Sequence, residues 1–67
     1  MKTHIVTKDQ LDKNNRYIGK TDLTNYEGHI EIEANLGYAL FTSIKALGYI
    51  LAKAGSGIKA GSGIKAG

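Results

Sequence analysis

Residues able to do chemistry are few in this 67-residue chain, and their spacing does not gather them. There is no cysteine, so neither a thiol nucleophile nor a disulfide framework is available. His4 and His29 lie far apart, and Ser43, Ser56 and Ser62 stand where the chain is expected to bend. A Ser–His–acid relay has no visible scaffold there. On an extended backbone His29 shares a face with Glu27, Glu31 and Glu33. Such a row could hold a metal, but two histidines and no thiol suit structural zinc poorly, and a solvated polar face is the commoner use. The closing GSGIKAGSGIKAG fails as a phosphate loop, because serine comes before each lysine rather than after it and no glycine directly precedes lysine. No position is assigned as catalytic, cofactor-binding or metal-ligating. The chain is read as non-enzymatic and without a cofactor.

Charge offers a second kind of chemistry. All six acids lie at or before Glu33, and from Ala34 onward the only charges are Lys45, Lys53, Lys59 and Lys65. These four lysines are the candidate polyanion contact. Tyr17, Tyr26, Tyr38 or Tyr49 could supply stacking surfaces for a nucleic acid, although four lysines give a modest electrostatic contribution and no base-reading motif accompanies them. The plainer role is preferred: lysines that keep a glycine-rich array soluble and blunt its edges.

The elements that would position these residues follow from a repeat. Ile-x-Ala recurs at Ile32, Ile44, Ile50, Ile58 and Ile64, and the chain divides into IEANLG, YALFTS, IKALGY, ILAKAGSG, IKAGSG and IKAG. The period is six, with one two-residue insertion. In a short strand the first and third residues share one face and the second takes the other. Ile and Ala would then point inward and lysine outward, with Gly or Ser at corners where φ > 0 is often needed. The expected fold class is all-β: a small β-solenoid of about two coils over residues 32–67, with a short mixed cap over residues 1–31. Ile32, Ile44, Ile50, Ile58 and Ile64 are the expected core ladder, and Lys45 and Lys65 should stack on one side.

This pattern resembles the hexapeptide-repeat, left-handed β-helix families and, more loosely, other short-repeat β-solenoids such as bactofilins. The resemblance covers residues 32–67 and departs from the usual hexapeptide in carrying Ala at the third position. The leader YEGHIEIE followed by GSGIKAG units also resembles bacterial, phage and mobile-element proteins with longer arrays, which implies no particular activity. A helix competes locally, since Leu40, Ile44, Leu47, Leu51, Ala54 and Ile58 follow heptad spacing. A cationic amphipathic helix over residues 38–54 would be membrane-active, but Gly48 and the glycines after Ala54 oppose it at about 1 kcal/mol each.

Residues 1–31 lack the repeat. THIVT is strand-prone, Thr7 with Gln10 suggests one capped helical turn, Asn14 and Asn15 suggest a bend, and HIEIE alternates as a half-buried strand. A chain this short buries only about 60% of its unfolded surface, so regular packing or oligomerisation should support it. A homo-oligomer built through the uncapped last coil is expected. Another protein is a further candidate partner, nucleic acid a weaker one, and a membrane is not expected. The functional expectation is a non-catalytic structural or protein-interaction module that self-associates. Its alternative is a small phage or mobile-element inhibitor docking on a nucleic-acid-handling protein complex. With no signal-like leader and no apolar run of about 20 residues, a soluble cytoplasmic protein is the default.

Overall fold

The computed structural model describes residues 1–67. Strands alternate inward and outward residues as the sequence pattern requires, and there are seven: β1 (Lys2–Val6), β2 (Gly28–Ile32), β3 (Gly37–Phe41), β4 (Ile44–Ala46), β5 (Ile50–Ala52), β6 (Ser56–Ala60) and β7 (Ile64–Ala66). One 3₁₀ turn, Lys8–Gln10, follows β1, and there is no α-helix. The architecture is all-β.

All strand pairing is parallel and falls into three short sheets. The first is ordered β1-β2-β5, the second pairs β3 with β6, and the third pairs β4 with β7. The chain visits them in turn and then repeats the circuit. Ile50 returns beside Ile30, Ile58 beside Ala39 and Ile64 beside Ile44, offsets of 20, 19 and 20 residues. Residues before β2 join the same sheets: Arg16 bridges Leu40 and Tyr26 bridges Ala46, both in parallel. The expected boundary between residues 31 and 32 is thus not structural. It falls inside β2, and β1 pairs with β2 along its whole length.

The core runs between the sheets. Val6, Ile30, Ile32, Ala39, Phe41, Ile44 and Ala46 are buried, and Leu11 and Leu23 from the long connection after β1 are buried with them. His4 stands opposite Ile30 and packs edge-on against Tyr17 and Tyr26, while Tyr17 stacks on Phe41 at 5.3 Å. This aromatic group fills the first circuit, where the chain makes its longest detour. The capping turn forms at Thr7, but its hydroxyl caps no backbone N–H. It accepts from Gln10 Nε2 instead, at 3.0 Å, and the same amide group donates to the Ile5 carbonyl at 2.9 Å.

Corners stack as well as strands. Asn35 and Gly55 both take left-handed backbone angles, φ 63° and 78°, and occupy equivalent bends after β2 and β5. Glycine suits that angle without steric cost, and asparagine is among the few side-chain-bearing residues that tolerate it. The Asn35 N–H donates to the Ala54 carbonyl, the Gly37 N–H to the Gly55 carbonyl, and the Leu36 N–H to Ser56 Oγ at 2.9 Å.

Two expectations are corrected by this register. The helical alternative over residues 38–54 is replaced by most of β3, with β4 and β5. Its seam residues Leu47 and Leu51 are 59% and 47% exposed, whereas Ala39 with Phe41 and Ile44 with Ala46 are buried at the two-residue spacing of a strand. The five isoleucines also do not form one ladder. Ile32 lies opposite Ala52, Ile50 opposite Ile30, Ile58 opposite Ala39, and only Ile44 and Ile64 oppose each other. Aligning IEIEAN from Ile30 with ILAKAG from Ile50 restores the observed partners on the first sheet, and the corner after β2 then runs one residue longer than the corner after β5. The two-residue insertion is thereby seen to be a shared feature of that corner.

Candidate functional site

The third circuit carries an edge with no partner in this chain. In a parallel ladder, alternate residues direct both N–H and C=O to the same neighbour. The Ile30 N–H donates to the Tyr49 carbonyl, the Lys53 N–H to the Ile32 carbonyl, and the Gly61 N–H to the Phe41 carbonyl. The intervening residues turn their backbone groups the other way: Ile50 and Ala52 in β5, Ile58 and Ala60 in β6, Ile64 and Ala66 in β7. Their side chains also point toward the interior, so the edge is apolar inside and hydrogen-bonding along its rim. Ile50 and Ile58 are half-buried there, and Ile64 is 53% exposed. As core residues, Ile32 and Ile44 are fully enclosed. Ile64 is not, because no fourth layer covers it.

The opposite end differs. Gln10 occupies the Ile5 carbonyl on the outer edge of β1, and Leu11 and Leu23 from the following connection are buried in the core.

The four candidate lysines do not form a single patch. Lys45 and Lys65 stand opposite each other on the third sheet. Lys59 projects from the second sheet, its Nζ 4.8 Å from the Tyr38 ring centroid, a cation–π contact. Lys53 lies beyond β5 and pairs with Glu31 at 3.5 Å. A contact with a polyanion would draw on Lys45 and Lys65 first.

His29 belongs to a polar cluster on the outer face of the first sheet. Its ring stacks on Tyr49 with centroids 4.1 Å apart, and Nδ1 accepts from the Tyr49 backbone N–H at 3.0 Å. The Tyr49 hydroxyl donates to Glu31 Oε2 at 2.6 Å. That hydrogen bond, aided by Lys53, holds the Glu31 carboxyl below its ordinary range, and the same bond raises the Tyr49 hydroxyl above its own. Glu31 is thus engaged by Tyr49 and Lys53, and no three His, Cys, Asp or Glu side chains are grouped to hold a metal ion. Sequence reasoning singled out Tyr49 only as a stacking surface and missed its place against His29 and Glu31. Extending the Ile30–Ile50 alignment by one position would have placed it beside His29.

Among the serines, Ser56 is engaged by the stacked corner: it accepts from Leu36 and donates to the Glu33 carbonyl. An open pocket of about 290 Å³ beside Arg16, Lys20, Thr21 and Thr42 also includes Ser43 and Asp22. Its carboxylate, Asp22, accepts from both the backbone N–H and the hydroxyl of Thr24.

Comparison with protein-family models, curated proteins and solved structures finds no match to this chain. No helix is long and apolar enough to cross a membrane.

Proposed function

We propose that the chain is a short β-solenoid that serves as a non-catalytic structural and protein-interaction module, associating with further copies of itself through its third coil. The carrying observation is that β5, β6 and β7 turn backbone groups and partly exposed isoleucines toward a side where no other strand of these 67 residues pairs with them. The solenoid reading is supported by the repeated visit to three parallel sheets at offsets of 19 to 20 residues and by the stacked left-handed corners. An unpaired parallel edge is a template for strand addition, and adding a layer buries Ile64 and satisfies the rim together. Sedimentation equilibrium tests the reading. The weight-average mass should rise with protein concentration, and a mass fixed at the monomer up to about 1 mM, the range of weak association, refutes it.

A further inference from the structure

We infer that the corner between the second and third sheets binds a phosphate monoester of a small polyol, with Arg16 and Lys20 on the phosphate and Asp22 on a hydroxyl. The site is the open pocket of about 290 Å³, which the first and second circuits form and which no residue of β5, β6 or β7 lines. Its origin lies in the backbone. The first circuit runs beside β3 as far as Tyr17, whose N–H donates to the Leu40 carbonyl. It rejoins the second circuit at Leu23, whose carbonyl accepts from the Lys45 N–H. Between these two bonds, residues 18–22 make no backbone hydrogen bond to the second circuit, and Ile18 turns its N–H to the Gln10 carbonyl instead. The hollow left between the circuits is the pocket.

The polar groups around this hollow sort by kind. Its carbonyls are largely engaged: Leu23, Leu40, Phe41 and Thr42 accept from backbone N–H groups, and Thr21 accepts from the Tyr17 hydroxyl at 2.8 Å. Its donors are not. The N–H groups of Lys20, Thr21, Thr42 and Ser43 meet no acceptor within the chain. Arg16 and Lys20 are exposed and lack an ion pair, since the one ion pair of the chain joins Lys53 to Glu31. Asp12, the acid nearest Arg16 in sequence, spends its Oδ1 on the backbone N–H groups of Asn14 and Arg16. Free N–H donors beside two free cations suit an oxyanion, and phosphate offers several acceptor oxygens to such a set.

The remaining lining discriminates among phosphates. Tyr17, stacked on Phe41, and Leu40 add apolar surface that inorganic phosphate cannot use. Asp22 adds a negative charge. The Thr24 hydroxyl and backbone N–H both donate to its Oδ1, at 2.5 and 2.9 Å, and hold the carboxyl below its ordinary range, so it stays ionised. That charge opposes a bare phosphate, whereas Oδ2 is left to accept from a hydroxyl on the same ligand. The volume lies at the small end of ligand pockets, which start at about 300 Å³, and so limits the organic part to a few carbons.

Amide chemical shifts of the full 67-residue chain, titrated separately with ribose 5-phosphate, ribose and inorganic phosphate, test the site. Solvent screens exposed cations, so binding should be weak, at about 0.1–10 mM. Ribose 5-phosphate should move the amides of Lys20, Thr21, Thr42 and Ser43 saturably, with inorganic phosphate weaker and ribose weaker still. Arg16→Gln and Lys20→Gln should each weaken ribose 5-phosphate about two- to fivefold, the scale of exposed ion pairs. Asp22→Asn should narrow the preference for ribose 5-phosphate over inorganic phosphate. Lys45→Gln combined with Lys65→Gln should leave the titration unchanged. Equal affinity for inorganic phosphate, or a preference that Asp22→Asn does not alter, overturns the monoester assignment. Binding lost in the Lys45 and Lys65 variant marks a diffuse polyanion contact and overturns the site. Shifts in the unmodified chain that centre on other amides, or that never saturate, overturn it even where a variant fails to fold.

Discussion

Ile44 and Ile64 oppose each other across β4 and β7, yet Ile44 is 1% exposed and Ile64 53% exposed. The same residue in the same strand sequence, Ile-Lys-Ala, therefore provides an internal comparison of a closed layer with an open one. Truncating Ile44 to alanine removes fully enclosed carbons and leaves a cavity, a loss of about 2–5 kcal/mol. Full burial of an isoleucine side chain is worth about 1.5–3 kcal/mol, so the half-exposed Ile64 should lose only about 1 kcal/mol on truncation, with no cavity to add. Domains of this length have a total stability of about 3–10 kcal/mol, which leaves Ile44→Ala near the unfolding threshold. With about 4–8 °C of melting temperature per kcal/mol at this size, Ile44→Ala should melt at least about 8 °C lower and Ile64→Ala less than about 8 °C lower. Circular dichroism melts at low micromolar concentration read this directly. If copies associate as proposed, the cost of Ile64→Ala should grow at high concentration as that side chain becomes enclosed. Equal losses for the two variants in dilute solution would refute the open-edge reasoning.

Gly28→Ala should destabilise by about 1–3 kcal/mol in urea titrations, since a methyl group there would overlap the Lys2 carbonyl and push β1 from β2. Lys65→Glu should stabilise by about 0.2–1 kcal/mol, because it replaces like charges opposite Lys45 with a cross-strand ion pair; reversal by salt would identify the cause. The Glu31 carboxyl is depressed by the Tyr49 hydroxyl, so its stabilisation is present above the ordinary glutamate range and lost as pH falls through the depressed value. Tyr49 is raised, so its part is present below the ordinary tyrosine range and lost as pH rises through the raised value. Tyr49→Phe should flatten both limbs of the stability–pH profile, and an unchanged profile would remove Glu31 and Tyr49 as its source.

The all-β class was legible because apolar residues recur two apart in HIEIE, IKA, ILA and SGIKA, the spacing of one strand face. So were the short helical turn after Thr7 and the opposition of Lys45 and Lys65. Register was harder. Six-residue spacing aligned Ile32 with the later isoleucines, whereas the left-handed bend at Asn35 makes Ile30 the equivalent of Ile50. Asparagine and glycine can serve the same backbone angle, so the equivalence was hidden by a change of residue type. The first circuit was hidden more deeply: it contributes single bridging residues, Arg16 and Tyr26, separated by loops. His4, Tyr17 and Tyr26 fill its interior in place of isoleucine, and no periodicity marks them. The dispersal of the four lysines over three sheets depends on corners whose lengths differ, which spacing alone does not reveal.

The detour of the first circuit also bears on how the chain reaches its native state. Every ladder partner lies 19 to 26 residues away, from Ala39–Ile58 at one limit to Thr3–His29 at the other, so almost no pairing is local. Chains dominated by distant pairings fold slowly for their length, since loop closure precedes any reward. The first circuit holds its interior through the edge-on packing of His4 on Tyr17 and Tyr26. During synthesis it also emerges first. It is placed to act as the seed on which later strands are laid down one layer at a time, making β5, β6 and β7 the last part to mature.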